Sequence, residues 1–194
     1  LVGEEGKVFS FEPDPDNFAI LKKNVEINRC ANVSLVCKAV SDKTGKVGLY
    51  LSEEASVLNT IYDLHDGRKS IEVESIRLDD YFKDYNGEIH FMKMDVEGVE
   101  WRIIQGMDLL LQKNKNLKII TEFCPLLTKT SGGQPEKYIR LLIEHGFRLY
   151  NINEQKRKIK PISLTELLEI PQKIGSYTNL LCVREGVHQN GERA

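Results

Sequence analysis

The sequence predicts an α/β fold with a mostly parallel sheet, helices on both faces and an antiparallel last strand. Short apolar stretches typical of buried strands alternate with amphipathic helical stretches, which favours parallel strands joined by right-handed crossovers. Residues 147–153 and 178–185 have no long helix between them, so we expect this final pair to be antiparallel. In such sheets, ligands bind beyond the carboxyl ends of the strands.

The segment up to residue 85 begins with a strand that ends at Glu12. Asp14 suits a helix N-cap and Pro15 fits the first helical position, which predicts a helix that ends near residue 29. The elements expected next are a strand at 32–41, its hairpin partner at 46–52, an extended piece at 70–76 and a short helix at 78–85. The polar stretch 52–70 has no regular pattern and is expected to shape an acceptor pocket.

The second half of the chain continues the alternation. A strand at 89–95 leads into one helix with apolar side chains spaced over residues 99–111. The remaining elements expected are strands at 117–123, 147–153 and 178–185 and a helix at 135–146. Ser163 and Glu166 have capping-box spacing and open a short helix. We expect a loop at 125–133 that also shapes the pocket, and a solvated basic turn at 156–160.

The composition is that of an ordinary globular domain, with 194 residues, of which 41% are hydrophobic and 29% charged. The net charge of -2 argues against a nucleic-acid partner. No apolar run approaches the roughly 18 residues of a membrane span, and no signal-peptide pattern is visible. The four scattered cysteines indicate buried, reduced thiols of a cytoplasmic protein. The four histidines show no ligand spacing, so no metal site is expected.

Three carboxylates stand at predicted carboxyl ends of strands: Glu12, Asp95 and Glu122. A carboxylate at the position of Glu12 can accept hydrogen bonds from both hydroxyls of a ribose, but a solvated strand end explains it equally well. A functional role and a solvent-facing side chain are equally compatible with Glu122. Their shared rim is the main functional indication in the sequence.

A dense acidic cluster starts at Asp95 and continues with Glu97 and Glu100. A helix N-terminus stabilises acids, and Gly98 would relieve a tight turn, so a purely structural explanation exists. We favour the alternative that Asp95 and Glu97 face a reacting centre, because so many acids at a strand end are costly without a ligand. There they would bind a cationic group or accept a proton.

Four motifs, in this order, resemble the FkbM-type methyltransferases: FSFEPDPDNFAILKKNVEIN, KAVSDKTGKVGLYLS, IRLDDYF and FMKMDVEGVEWRIIQG. The resemblance implies a Rossmann-like class I methyltransferase fold with S-adenosylmethionine as the cofactor. It also implies methylation of a hydroxyl oxygen on a small-molecule acceptor such as a sugar, a lipid or a natural product. We expect a single domain over residues 1–194 that is incomplete at its N-terminus, because the family's first strand and glycine-rich turn would precede residue 1.

The resemblance also assigns roles to residues of this chain. The residues expected at the cofactor are Glu12, Pro13, Ala39, Val40 and Asp95. Glu12 would hold the adenosine ribose, Ala39 and Val40 would lie beside the adenine, and Asp95 would lie near the methyl donor. Catalysis is expected of Asp95 and Glu97, and acceptor binding of Glu100 and Glu122.

Two other functions are compatible with the same features. A methyltransferase-like domain that binds without catalysing a reaction would keep the fold. A nicotinamide-dependent oxidoreductase would also place an acid after its second strand. The acidic block at residues 95–100 argues against the oxidoreductase, because it adds anions where a pyrophosphate would need a cradle of N–H groups.

Overall fold

The computed structural model describes residues 2–184. The strands are Val8–Phe11 (β1), Val33–Val36 (β2), Ala39–Val40 (β3), Gly45–Tyr50 (β4), Ser70–Ile76 (β5), Phe91–Met94 (β6), Lys118–Phe123 (β7), Phe147–Asn153 (β8), Lys158–Pro161 (β9) and Thr178–Arg184 (β10). The α-helices are Pro15–Ile27 (α1), Leu78–Tyr81 (α2), Glu100–Gln105 (α3), Asp108–Lys113 (α4), Pro125–Thr130 (α5), Pro135–Glu144 (α6) and Leu164–Leu168 (α7), and Ser56–Leu58 forms a 3₁₀ turn.

The strands form three sheets, with the orders β1-β2, β3-β5-β4 and β6-β7-β10-β8-β9. The α/β architecture and the antiparallel pairing of β8 with β10 confirm the predictions. The arrangement is less parallel than predicted: β1–β2, β3–β5 and β6–β7 are parallel, whereas β4–β5, β7–β10, β8–β10 and β8–β9 are antiparallel. The short turn between β8 and β9 explains part of this difference, because parallel strands need a longer crossover.

The main core lies on one face of the five-stranded sheet. Ile119 on β7 is fully buried and shares a row with Cys182 on β10 and Leu149 on β8. Helices α3, α4, α6 and α7 contribute side chains to this same core. On the opposite face the side chains of the five strands are exposed or partly exposed, and the helices that build the main core lie on the other face. That face carries Lys93 and Lys118 together with partly exposed apolar residues such as Ile120 and Leu181.

The single helix predicted after β6 is divided into α3 and α4. Gly106 ends α3 and approaches the backbone of Ser41, where a side chain would not fit. The buried carboxylate of Asp79 accepts hydrogen bonds from the N–H groups of Leu109 and Leu110, at 3.2 and 2.9 Å. A distant residue therefore caps α4, which a local apolar pattern cannot reveal.

The strand predicted at 32–41 is also divided. Its first part, β2, pairs with β1, and its second part, β3, pairs with β5. The predicted hairpin is therefore wrong, because β4 pairs with β5 on the far side from β3. Cys30 and Cys37 near this break are exposed, whereas Cys124 and Cys182 are buried as expected.

Two short elements were not predicted. Helix α5 starts at Pro125 inside the expected loop, and β9 extends the basic stretch into an edge strand beside β8. The capping box of Ser163 and Glu166 is confirmed at the start of α7. Within residues 2–184, no helix has the length and apolar character needed to cross a bilayer.

Candidate functional site

The ends of β6 and β7 bring two of the expected acids side by side. Met94 pairs with Thr121 in parallel register, so Asp95 and Glu122 follow at neighbouring positions of the same rim. Lys93 forms an ion pair with Asp95, with Nζ 2.9 Å from Oδ2. Side chains alternate between the two faces along a strand, so Lys93 and Glu122 lie on the face opposite the main core.

The turn after Asp95 has an unusual backbone. Glu97 has a φ of 54° and Gly98 a φ of 92°, so two successive residues lie in the left-handed region. A side chain at Gly98 would meet Leu127 of α5, with Cβ atoms 2.5 Å apart. Ser131 Oγ donates a 2.7 Å hydrogen bond to the Gly98 carbonyl, and Trp101 Nε1 donates to Ser131 Oγ at 2.9 Å. Packing and hydrogen bonds thus hold a strained turn, as is common at ligand sites.

Glu100 is the buried acid of the cluster, with 3% of its surface exposed. Its Oε1 accepts hydrogen bonds from the N–H groups of Val96 at 3.2 Å and Gly98 at 3.4 Å. Burial raises the pKa of Glu100 to about 7, against the lowering effect of these bonds. Direct contact of Glu100 with an acceptor stays a prediction. The hydrogen bonds that Glu100 accepts from Val96 and Gly98 indicate that it stabilises this backbone turn.

Glu122 and Glu97 are half-buried and close enough to influence each other. Burial is the main reason that the pKa of Glu122 is raised to about 7, and the charges of Glu97 and Asp95 add to it. The pKa of Glu97 is also raised, first by burial and then by Asp95. The rim therefore carries one carboxyl group, Glu122, that can exchange a proton near neutral pH, and a cation would stabilise the ionised acids around it.

Glu12 lies at a separate rim, at the end of β1. Its backbone N–H donates to Val36 O at 3.0 Å, and its Oε1 accepts from the Asp14 N–H at 2.9 Å. Its pKa is raised, chiefly by burial. Asp14 caps α1 as predicted, by accepting from the N–H of Asp16 at 2.8 Å. The Asn17 side chain also forms a hydrogen bond with the Glu12 carboxylate, so the start of α1 orients this group.

The residues expected beside the adenine have different surroundings. Ala39 is 2% exposed and packs with Leu49 and Val73, so it would offer a ligand its backbone rather than its side chain. Val40 is partly buried against the main core. Pro13 joins Glu12 to the start of α1.

The loop between β4 and β5 joins the two rims and contains site residues that sequence reasoning missed. Asn59 Nδ2 donates to Asp14 Oδ2 at 2.7 Å, and Asn59 Oδ1 accepts from Ser52 N at 2.8 Å. Tyr62, further along, is 7% exposed. Burial raises its pKa to about 12, and the charges of Glu97 and Glu100 contribute. Tyr62 is the single aromatic residue in the stretch 52–70, which is the signal that could have identified it.

Other parts of the structure are weaker candidates for a ligand site. Two shallow clefts lie near the amino ends of β6 and β7, away from the acids of the two rims. One is lined by residues 86–88 and 113–116, and the other by residues between 79 and 87 and between 109 and 113. Among residues 2–184, no three His, Cys, Asp or Glu side chains converge in a way that could hold a metal ion.

Comparisons with known proteins identify similar sequences and folds. A family model described as Methyltransferase FkbM domain matches residues 1–149. A solved methyltransferase FkbM from Methylobacillus flagellatus KT is 12% identical with a TM-score of 0.50, and the match covers 91% of this chain and 36% of that one. A precorrin-6y C5,15-methyltransferase from Geobacter metallireducens GS-15 is 12% identical with a TM-score of 0.44, over 93% of this chain and 68% of that one. A search of curated proteins gave no match.

The similarity to the solved methyltransferase FkbM supports only the fold of this chain, because the sequence identity is 12%. The chain spans 36% of the length of that solved protein.

Proposed function

The chain belongs to the FkbM methyltransferase family, whose model matches residues 1–149 of its 194 residues, and we propose that it acts in S-adenosylmethionine-dependent methyl transfer. The observation that carries this proposal is the arrangement of acids at three strand ends, which form two rims that one loop joins. Glu12 lies at the end of β1, and Asp95 and Glu122 lie at the ends of β6 and β7.

The side chains at the two rims suit the chemistry of this cofactor. The Glu12 carboxylate is oriented by hydrogen bonds from Asp14 and Asn17, and its remaining acceptor positions suit a ribose hydroxyl. The mutually repelling acids Asp95, Glu97 and Glu122 favour a cationic ligand, and the cofactor has an ammonium and a sulfonium group. When bound, S-adenosylmethionine supplies an electrophilic methyl group.

The residues of this chain would contribute positioning and proton transfer. Glu122 or Asp95 would accept the proton of an acceptor hydroxyl as its oxygen becomes nucleophilic. Glu122 suits this role because its pKa is raised to about 7, which makes it a stronger base than an exposed glutamate. Glu100 and Ser131 would keep the turn at Glu97 in place. We propose a sugar, lipid or natural product with a free hydroxyl as the acceptor, and a cytoplasmic location.

Calorimetric titration with S-adenosylhomocysteine tests the proposal. We expect saturable binding that Glu12→Gln weakens by about tenfold, since one charge-assisted hydrogen bond is lost. Glu26→Gln, on the exposed surface of α1, is the matched control and should leave binding unchanged. The absence of binding heat at about 1 mM S-adenosylhomocysteine would contradict the proposal. Binding without methyl transfer to any hydroxyl acceptor would support the non-catalytic alternative instead.

A further inference from the structure

A group of exposed cations and apolar side chains at one end of the five-stranded sheet has no part in the proposed methyl transfer. It comprises Lys156, Arg157, Lys158, Lys173, Ile174 and Tyr177, which we call the basic end. The first three belong to the turn between β8 and β9 and to the start of β9, and the others to the loop before β10.

Strand register places these two segments together. Asn179, near the start of β10, pairs with Ile152, near the end of β8. Its Nδ2 also donates to Glu154 Oε1, in the β8–β9 turn, at 3.1 Å. The loop 171–177 ends directly before β10 and therefore reaches the same end of the sheet as the turn.

This end is also the rim of the candidate site. Asn179 pairs with Glu122 on its other side, so the row across the sheet runs from Glu122 through Asn179 to Ile152. Neighbouring strands are about 4.8 Å apart, so the basic turn lies roughly 10–15 Å from the acids of β7. Cations and acids thus occupy separate parts of one rim.

The charges of the basic end are available for an external partner. None of its four cations forms an ion pair within residues 2–184, and the carboxylate in the turn, Glu154, accepts from Asn179. These cations lie at the same end of the sheet as two exposed apolar side chains. Ile174 is 93% exposed and Tyr177 is 58% exposed.

We propose that the basic end docks on an anionic bilayer surface, with the cations at the lipid headgroups and the Ile174 loop inserted between them. Cations beside exposed apolar side chains are typical of interfacial membrane binding, and tyrosine is favoured at headgroup depth. Protein-docking surfaces are typically contiguous apolar patches, whereas Ile174 is flanked in its loop by Lys173 and Gly175. The docking does not depend on methyl transfer.

Co-sedimentation of the full chain with vesicles tests this proposal. Vesicles of equimolar phosphatidylserine and phosphatidylcholine are compared with vesicles of phosphatidylcholine alone. We expect binding to the anionic vesicles at about 0.1 M salt and its loss at about 1 M, because the Debye length falls from about 10 to about 3 Å. Equal binding to both vesicle types, or to neither, would overturn the proposal.

Matched variants locate the binding surface. Lys156→Gln with Lys158→Gln should lower the partition coefficient about fivefold for each cation removed. Lys22→Gln with Lys23→Gln, on the exposed surface of α1, removes the same charge and should change it less than about twofold. An equal loss in the two double variants would overturn the assignment to the basic end. All of these side chains are exposed, and an unchanged thermal unfolding curve confirms that each variant is folded.

A separate variant tests insertion of the Ile174 loop, and a soluble polyanion tests for a different partner. Ile174→Ser should weaken binding at least about fivefold without a change in charge, and an unchanged partition would overturn insertion of the loop. Soluble polyglutamate serves as a second probe. Tight binding to polyglutamate with no binding to anionic vesicles would identify an acidic polypeptide as the partner and overturn membrane docking.

Discussion

Asn59 donates a 2.7 Å hydrogen bond to the buried carboxylate of Asp14, which ties the loop after β4 to the N-terminus of α1. The same loop buries Tyr62 near Glu97 and Glu100. One loop therefore connects the acid at the end of β1 with the acids at the ends of β6 and β7.

Replacing Asn59 should loosen this connection. Asn59→Ala leaves one oxygen of the buried Asp14 carboxylate without its partner, and we expect the free energy of unfolding to fall by about 1–2 kcal/mol. Urea denaturation measures the change. Asn116→Ala, which removes an exposed 3.2 Å bond to Glu88, is the control and should cost less than about 0.5 kcal/mol. Equal losses in both variants would contradict a special role of the Asn59 bond.

Glu100 should make stability depend on pH. Its folded pKa is raised to about 7 from 4.5, so its stabilising contribution is complete below the unfolded value and is lost as pH rises through about 7. The loss is on the order of 3 kcal/mol. Glu100→Gln keeps an oxygen acceptor for Val96 and Gly98 and removes the titration. Denaturant curves at about pH 5 and about pH 8 should differ less in the variant, and an unchanged pH difference would refute this.

Glu122 should control the pH dependence of turnover. If it accepts the acceptor's proton, kcat/KM should rise with pH through about 7, the value to which its pKa is raised, because the ionised form is the base. Glu122→Gln should remove this rise and lower kcat/KM by about 100-fold. Glu169→Gln, an exposed glutamate at the end of α7, should behave like the parent protein. A pH profile that survives in Glu122→Gln would assign the base to another residue.

Tyr62 should matter for activity and little for folding. Its phenol is a hydrogen-bond donor buried beside acids, and Tyr62→Phe removes the donor while keeping the ring. We expect kcat/KM to fall about tenfold. Tyr85→Phe, in the aromatic cluster with Phe9 and Phe82, should leave activity unchanged. The idea fails if the two variants have the same activity.

The sequence predicted those features that depend on near neighbours. The Asp14 cap and the Ser163–Glu166 capping box need only residues within one helical turn. The position of Asp95 follows from an apolar strand that ends in a carboxylate. Such signals lie within a few residues and were sufficient for the α/β class and for most strands.

The features that were missed depend on contacts between distant segments. The break at Gly106 is set by Ser41 and Asp79, and Tyr62 lies near acids that follow β6, more than 30 residues away in the chain. The break between β2 and β3 is a change of partner strand within a run that is uniformly strand-like. Local periodicity contains no information about partners of this kind.

Two independent features of its surroundings restrict position 98 to glycine. The left-handed φ of 92° restricts position 98 to glycine, and the 2.5 Å approach to Leu127 Cβ adds a second barrier to any larger residue. The backbone carbonyl carbon and oxygen of Leu127 would lie 2.8 and 2.9 Å from the same Cβ, so a smaller residue at position 127 would relieve neither barrier. The turn that carries Glu97 therefore depends on the backbone path of α5, whatever side chain position 127 carries.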